Sequence, residues 1–262
     1  MDLGLKDQVA LVTASSRGLG KAAAMQFARE GARVAICART EDIEVTANEI
    51  RQETGAEVLD IRTDLTKPED IETLVEQTHD HFGQIDILVA NNGGPAPGNF
   101  LDLQPVHWEA AVDLTLMSTV RLCYGVIPIM LEQGSGSIVA SQSYSVKQPI
   151  DHLILSNSVR LAVIGLMKSL ANEFGPKGIR VNSINPYWTW TERIDQLLAD
   201  RASRSETTIE DEAAKITQDA PLRRMGTIEE YGRTIVWLAS PAASFIHGHA
   251  LMFDGGAVKA TL

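Results

Sequence analysis

Val9-Ala10-Leu11-Val12-Thr13-Ala14-Ser15-Ser16-Arg17-Gly18-Leu19-Gly20 is an apolar run that breaks into a small, polar, glycine-bearing turn. Four consecutive apolar residues suit a parallel strand covered on both faces. The turn then opens a helical stretch at residues 18–30. Gly18 and Gly20 let a ligand come close to the backbone, while the amides and dipole of the helix start favour negative charge. Ser15 and Ser16 add hydroxyl donors. Strand, glycine turn and helix in that order make Thr13 to Gly20, Leu19 included, a candidate cradle for a dinucleotide pyrophosphate.

The same rhythm continues outward. Further short β-branched runs, most of them near-continuously apolar, are Val34-Ala35-Ile36-Cys37, Val58-Leu59-Asp60-Ile61, Ile85-Asp86-Ile87-Leu88-Val89, Ser137-Ile138-Val139-Ala140 and Val181-Asn182-Ser183-Ile184, with a weaker one at His249-Ala250-Leu251-Met252-Phe253. Helical patterns lie between them at 41–53, 68–82, 105–132, 152–175 and 227–239. Strands alternating with helices along a whole chain predict an α/β fold: one Rossmann-type, doubly wound parallel sheet of about seven strands with helices on both faces. No linker or repeat divides the 262 residues, so they read as one dinucleotide-binding domain, 1–262. Right-handed crossovers bring the loops after strands 1, 4, 5 and 6 to the carboxyl edge. Between Thr189 and Arg224 the rhythm breaks; this charged segment, 189–224, is expected to form one or two helices as a lid over that edge.

The end of the second strand bears on the cofactor. Sites for NAD place a carboxylate there to accept from the ribose 2′-hydroxyl. Here the strand ends Cys37-Ala38-Arg39-Thr40, and a guanidinium at Arg39, helped by Arg17, suits a 2′-phosphate. NADP(H) is therefore expected in preference to NAD(H). After strand 3, Asp64 and Leu65 are placed to meet the adenine amino group, although Asp64 and Thr66 equally fit a capping role.

Bulk composition narrows the partners. A net charge of −11 disfavours nucleic acid. The absence of an unbroken run of 18 apolar residues argues against a membrane span. Cys37 and Cys123 sit in apolar segments and read as core residues, in keeping with a cytoplasmic setting. The histidines are scattered without acid or cysteine at ligand spacing, so no metal site is expected.

Taken together, the motifs resemble the short-chain dehydrogenase/reductase superfamily, including 3-oxoacyl-carrier-protein reductases. Its T-G-x-x-x-G-x-G turn is similar to Thr13–Gly20, with Ala14 in place of the first glycine. Its N-N-A-G stretch resembles Ala90-Asn91-Asn92-Gly93, its P-G loop Pro186-Tyr187, and its D-G-G Asp254-Gly255-Gly256. The resemblance implies that Asn91, Pro186 and the lysine-equivalent position contact the cofactor. It also implies four catalytic side chains: a tyrosine, a lysine four residues later, a serine thirteen residues before the tyrosine, and an asparagine before strand 5. Aligned on Ile164-Gly165-Leu166-Met167-Lys168-Ser169-Leu170-Ala171, these positions fall on Ser156, Arg160, Ser143 and Thr115. Only Ser143 keeps the family's residue type.

A serine hydroxyl is a far weaker acid than a phenol, and an arginine does not shuttle protons. The family's proton transfer therefore does not carry over, and three readings follow. A reductase of carbonyl/alcohol substrates would polarise the substrate oxygen with Ser143, Ser156 and Arg160 and recruit another donor: Tyr144, Tyr187 or His152. A second reading is an NADP(H)-binding sensor, regulatory or interaction protein with weak catalysis. The third is non-redox chemistry like that of halohydrin dehalogenases, which also use an arginine. The family further implies a homo-oligomer, dimer or tetramer, built on the long helices at 105–132 and 152–175, where Leu161–Leu166 is apolar.

Overall fold

The computed structural model describes residues 2–218 and 220–260. In chain order the elements are β1 (Val9–Val12), α1 (Gly18–Arg29), β2 (Arg33–Ala38), α2 (Asp42–Thr54), β3 (Val58–Arg62), α3 (Pro68–Phe82), β4 (Ile87–Ala90), α4 (Pro105–Ala111), α5 (Ser118–Gln133), β5 (Gly136–Ser141), α6 (Ile154–Phe174), β6 (Ile179–Pro186), α7 (Glu192–Ser205), α8 (Ile209–Thr217), α9 (Ile228–Ala239) and β7 (Ala250–Phe253). All seven strands pair in parallel, in the order β3-β2-β1-β4-β5-β6-β7. The doubly wound sheet expected from the alternation is therefore present.

Two-residue periodicity divides the core between the faces of the sheet. Val9 and Leu11 of β1 join Leu74 of α3, Val126 of α5 and Val163 and Met167 of α6 on one side. Ala10 and Val12 join Phe27 of α1, Ile43 of α2 and Ile235 of α9 on the other. Both faces being covered, β1, β2 and β4 are almost wholly apolar, whereas β6 carries Arg180, Asn182, Ser183 and Asn185.

Strand order reverses between β1 and β4, whose register pairs Val12 with Val89. The turn after β1 and the loop after β4 consequently emerge side by side, where ligands of such sheets bind.

Two elements depart from expectation. The helix anticipated as continuous over 105–132 is interrupted by a π-helical turn, Val112–Met117, between α4 and α5. Such a turn shifts the backbone hydrogen bonding, and the carbonyl of Thr115 accepts from Asn92 Nδ2 at 3.3 Å. The segment after β6 forms two helices, α7 and α8, closed at its base by Gly226 N donating to Trp188 O and Trp190 N to Gly226 O. By length and mean hydropathy, rather than by an unbroken apolar run, Pro105–Gln133 and Ile154–Lys177 have the make-up of membrane-crossing helices. In this fold they are core helices of the layer that packs on Val9 and Leu11.

Candidate active site

The turn after β1 is held from beneath. Thr13 Oγ1 donates to Asn91 O at 2.6 Å and accepts from Asn91 N at 2.9 Å, while Asn91 Nδ2 donates to the carbonyls of Thr13 and Ala14. Ser15 Oγ donates to Val12 O and accepts from Cys37 N. Thr13, Ser15 and Asn91, expected among the cofactor contacts, thus spend their hydroxyl and amide hydrogens inside the protein. The hydroxyl donation expected of Ser15 is corrected to a structural role, because this side chain is fully buried between β1 and β2. Ser16, Arg17, Gly18 and Leu19 remain at the surface or half-buried.

The residues present fit a pyrophosphate. A Cβ on Gly20 would lie 2.4 Å from Ala14 O, so only glycine lets the helix start press against the turn. No side chain caps the start of α1, and no acidic residue occupies its first turn. Its amides and dipole are left for an anion. Ala14, standing where the family has glycine, adopts φ 48°.

At the adenosine end, Arg17 and Arg39 are exposed. Among the described residues neither forms an ion pair within 4 Å. Arg62, which the sequence reading passed over, donates to Arg39 O at 3.0 Å and adds a third guanidinium to this corner. Asp64 Oδ1 accepts from Thr66 N and Thr66 Oγ1, the local capping arrangement. Partial desolvation works to raise the Asp64 carboxyl, but the Thr66 hydrogen bonds together with Arg39 and Lys67 hold it below its ordinary value. Leu65 turns its side chain into the core, leaving its backbone for any adenine contact.

The catalytic positions come together one strand further on. On α6 the buried stripe runs Ser156, Arg160, Val163, Met167, Ala171. Its first two members are polar and occupy places that helical spacing assigns to the core. Arg160 Nε donates to Ser156 Oγ at 3.2 Å, Nη1 to Gln142 Oε1 at 3.2 Å and Nη2 to Gly93 O at 3.5 Å. Ser156 Oγ meets Ser145 Oγ at 3.3 Å, and Ser145 N donates to Ser143 Oγ. The sheet thus joins Ser143, Ser156 and Arg160 in one network, with Gln142 and Ser145 as members that sequence reasoning missed. A glutamine directly after an apolar strand and before Ser143 was the available signal for Gln142.

Burial pulls the Arg160 guanidinium down to about 10, opposed in part by the neighbouring Tyr231 phenol, so it stays cationic at neutral pH. Tyr231 Oη donates to Ser141 Oγ at 2.8 Å, and burial pushes its pKa up. Thr115 is fully enclosed in the π-helical turn and joins the network only through Asn92 and the adjoining Gly93. The two tyrosines expected near the site separate in role. Their rings meet edge to face at 4.6 Å, but Tyr187 Oη donates to Ile216 O of α8 at 2.7 Å and so ties down the segment after β6. Tyr144 is half-buried beside Ser143; burial and then Tyr187 push it up to about 12. No tyrosine hydroxyl among the described residues bonds to Ser143 or Ser156. His152 is exposed and lies outside the network. Pro186 ends β6, paired with Phe253.

Residues 13–258 match the family described as Enoyl-(Acyl carrier protein) reductase. The chain belongs to the short-chain dehydrogenase/reductase superfamily. Among curated relatives of this superfamily, it is 33% identical over 264 residues to the uncharacterized oxidoreductase YvrD of Bacillus subtilis, covering 99% of each chain. It is 31% identical to a 3-oxoacyl-[acyl-carrier-protein] reductase of Synechocystis, covering 97% of this chain and 98% of that one. Among solved structures, an L-sorbose reductase from Gluconobacter frateurii, complexed with NADPH and L-sorbose, superposes with a TM-score of 0.96. That likeness is at 30% identity, over 99% of this chain and 100% of the other. As a member of this superfamily the chain is an oxidoreductase that uses a nicotinamide cofactor.

Proposed function

We propose that this protein is an NADP(H)-dependent oxidoreductase of small carbonyl and alcohol substrates whose site is built on Ser143, Ser156 and Arg160. The observation that carries the reading is the buried network Ser143–Ser145–Ser156–Arg160–Gln142, set beside a turn that fits a pyrophosphate. A buried cation held by a hydroxyl, an amide oxygen and a backbone carbonyl stabilises negative charge arising on a substrate oxygen. The turn Thr13–Gly20 would hold the dinucleotide, whose nicotinamide would supply or take up the hydride. Arg160 also stands where the superfamily holds the nicotinamide ribose.

Arg17 and Arg39, which form no ion pair within 4 Å among the described residues, support recognition of a 2′-phosphate, whose charge matches a planar fork of donors. Thr115, enclosed in the π-helical turn, supports the site from behind through its carbonyl on Asn92. Tyr144 is the acid of this reading, while residues 189–224, with α7 and α8 latched by Tyr187, act as a lid over the carboxyl edge. The enzyme is cytoplasmic in this reading, and assembles as a homo-oligomer through the outward faces of α5 and α6.

Calorimetric titration with NADPH and NADH, followed by a carbonyl-reduction screen, tests the proposal. NADPH binding at least tenfold tighter than NADH, with turnover of a carbonyl, is the expected result. Arg39→Ala should remove that preference. Tight binding without turnover would instead favour a nucleotide-sensing protein, and binding of neither nucleotide would refute the reading.

A further inference from the structure

We propose that the cavity between the ends of β6 and β7 and the start of α9 is a second ligand site, one for an aromatic monoanion, and that its occupant steadies α7 and α8. This goes beyond the oxidoreductase reading and concerns a different part of the molecule.

The cavity has a volume of about 440 Å³. Small-molecule sites fall in the range of about 300–1,000 Å³. Its frame is tied together through the backbone: Tyr187 N donates to Phe253 O at 2.9 Å, Gly226 N to Trp188 O at 3.1 Å and Leu222 N to Gly255 O at 3.3 Å. A Cβ on Gly226 would stand 2.7 Å from the Phe253 ring, so glycine there lets the ring close on the link between the lid and α9. Ser143, Ser156, Arg160 and the nucleotide turn take no part in the lining.

Two kinds of wall set the chemistry of the occupant. Trp188, Trp237 and Phe253 line the cavity and are each half-buried, so part of every ring still faces open space. Such rings receive a flat apolar body. On α9, Glu230, Arg233 and Trp237 recur at the spacing of one helical stripe, which brings charge to the same wall.

The charged groups of the lining are unequally engaged. Glu230 receives both terminal nitrogens of Arg224, at 2.8 and 2.7 Å, and the Thr227 amide at 2.9 Å. Asp254 turns its two oxygens to Gly256 N and Val258 N. Arg233, by contrast, forms no ion pair within 4 Å among the described residues. Its planar fork suits a carboxylate held by two parallel bonds. A cationic ligand would find both acids already occupied, and a second negative charge would meet Glu230 and Asp254. One carboxylate on an aromatic body therefore matches the cavity.

The cavity shares Tyr187 and Trp188 with the base of the segment after β6. Tyr187 Oη holds α8 through Ile216 O and its ring meets Tyr144 at 4.6 Å, while Trp188 is paired with Gly226. A ring seated on Trp188 braces this base from behind, without touching the reacting atoms.

Calorimetry with phenylacetate as the probe, and phenylacetamide as its neutral counterpart, tests the site. Phenylacetate should bind with and without NADPH, more weakly as salt rises, and about tenfold tighter than phenylacetamide. Arg233 is exposed on α9, so substitutions there leave the fold intact. Arg233→Gln should weaken phenylacetate about tenfold at unchanged NADPH affinity, and Arg233→Lys, which keeps the charge without the fork, should fall between. Hydrogen exchange in α7 and α8 should slow when the probe binds. No binding of phenylacetate, equal binding of the two probes, undiminished affinity in Arg233→Gln, or displacement by NADPH would each overturn the site. Unchanged exchange in α7 and α8 would overturn its action on them. Dissociation of an oligomer by phenylacetate would show that a second copy fills the cavity, which also overturns the proposal. Neither binding nor exchange needs turnover, so failure of this site and failure of the oxidoreductase reading are read separately.

Discussion

Close contact at single residues decides whether the nucleotide turn forms. Gly20 has backbone 2.4 Å from where a Cβ would stand, so Gly20→Ala must displace the turn or α1. A loss of about 2–4 kcal/mol is expected, with nucleotide binding lost even where the protein still folds. Ala14 is the converse case: its left-handed φ of 48° costs about 1–2 kcal/mol for a residue with a Cβ. Ala14→Gly recovers that but loosens the unfolded chain by about 0.4–1 kcal/mol. Its unfolding midpoint should stay level or rise by about 2–3 °C, and a fall in calorimetry would contradict the strain argument. Tyr144 yields a pH prediction. With its phenol pushed up to about 12, the proton is retained through neutral and mildly alkaline pH and is lost only as pH approaches that value. Carbonyl reduction should be flat from about pH 7 to about pH 10, and Tyr144→Phe should lower kcat at least ~100-fold. A Phe variant with full activity would remove Tyr144 as the acid. At this scale the family resemblance, aligned on Ile164–Ala171, located Ser143, Ser156 and Arg160, because the motif it carries is a run of fixed local spacings. Gln142 and Ser145 escaped because their partners lie 18 and 11 residues away, across a strand-to-helix crossing.

Elements depend on ties that run between them, and Arg180 on β6 is the densest. Its terminal nitrogens donate to the carbonyls of Leu238, Ala239, Ser240, Ala243 and Ile246 and to Ser137 Oγ of β5. One side chain thereby receives the unpaired carbonyls where α9 ends and the chain turns towards β7. Desolvation lowers its pKa, but it keeps its charge at neutral pH. Arg180→Met fills similar space and strands those carbonyls. We expect a cost of about 3–5 kcal/mol, read as a midpoint about 10 °C lower, with α9 and β7 losing hydrogen-exchange protection before the β1–β4 centre. Uniform loss of protection would argue that Arg180 acts on the whole fold instead. Six of the seven strands were legible as short β-branched runs, most of them near-continuously apolar; β7 read weakly because it is only half-buried at the sheet's edge. The π-helical turn left no trace in the hydrophobic pattern, which runs apolar through Val112–Met117 as through the helices on either side. The two helices between β6 and α9 could be counted only loosely, as their polar composition fits a helix or a loop alike.

For the molecule as a whole, charge and apolar surface make separate demands. A net charge of −11 keeps copies apart at low salt, yet apolar side chains stand outside the two central helices. Tyr124 on α5 is 79% exposed and Leu161 on α6 is 53% exposed, with Val112 and Leu131 partly so. Gly165, one turn along α6 from Leu161, has nothing within 4 Å of where a Cβ would stand. A flat, apolar helix face of this kind is the feature that two copies can share about a twofold axis, each residue meeting its counterpart. Burial of that face would also brace α6 from outside, at the helix that carries Ser156 and Arg160. Light scattering during gel filtration should therefore give a dimer or tetramer. Leu161→Glu should shift the mass towards the monomer, the more so at low ionic strength, where the introduced like charges are least screened. The dissociated variant should keep nucleotide binding, since the turn after β1 lies across the sheet, while its carbonyl turnover falls as α6 loses its outer support. A monomeric wild-type protein, or a Leu161→Glu variant of unchanged mass, would show that this face is ordinary surface and that α6 holds the site without a partner.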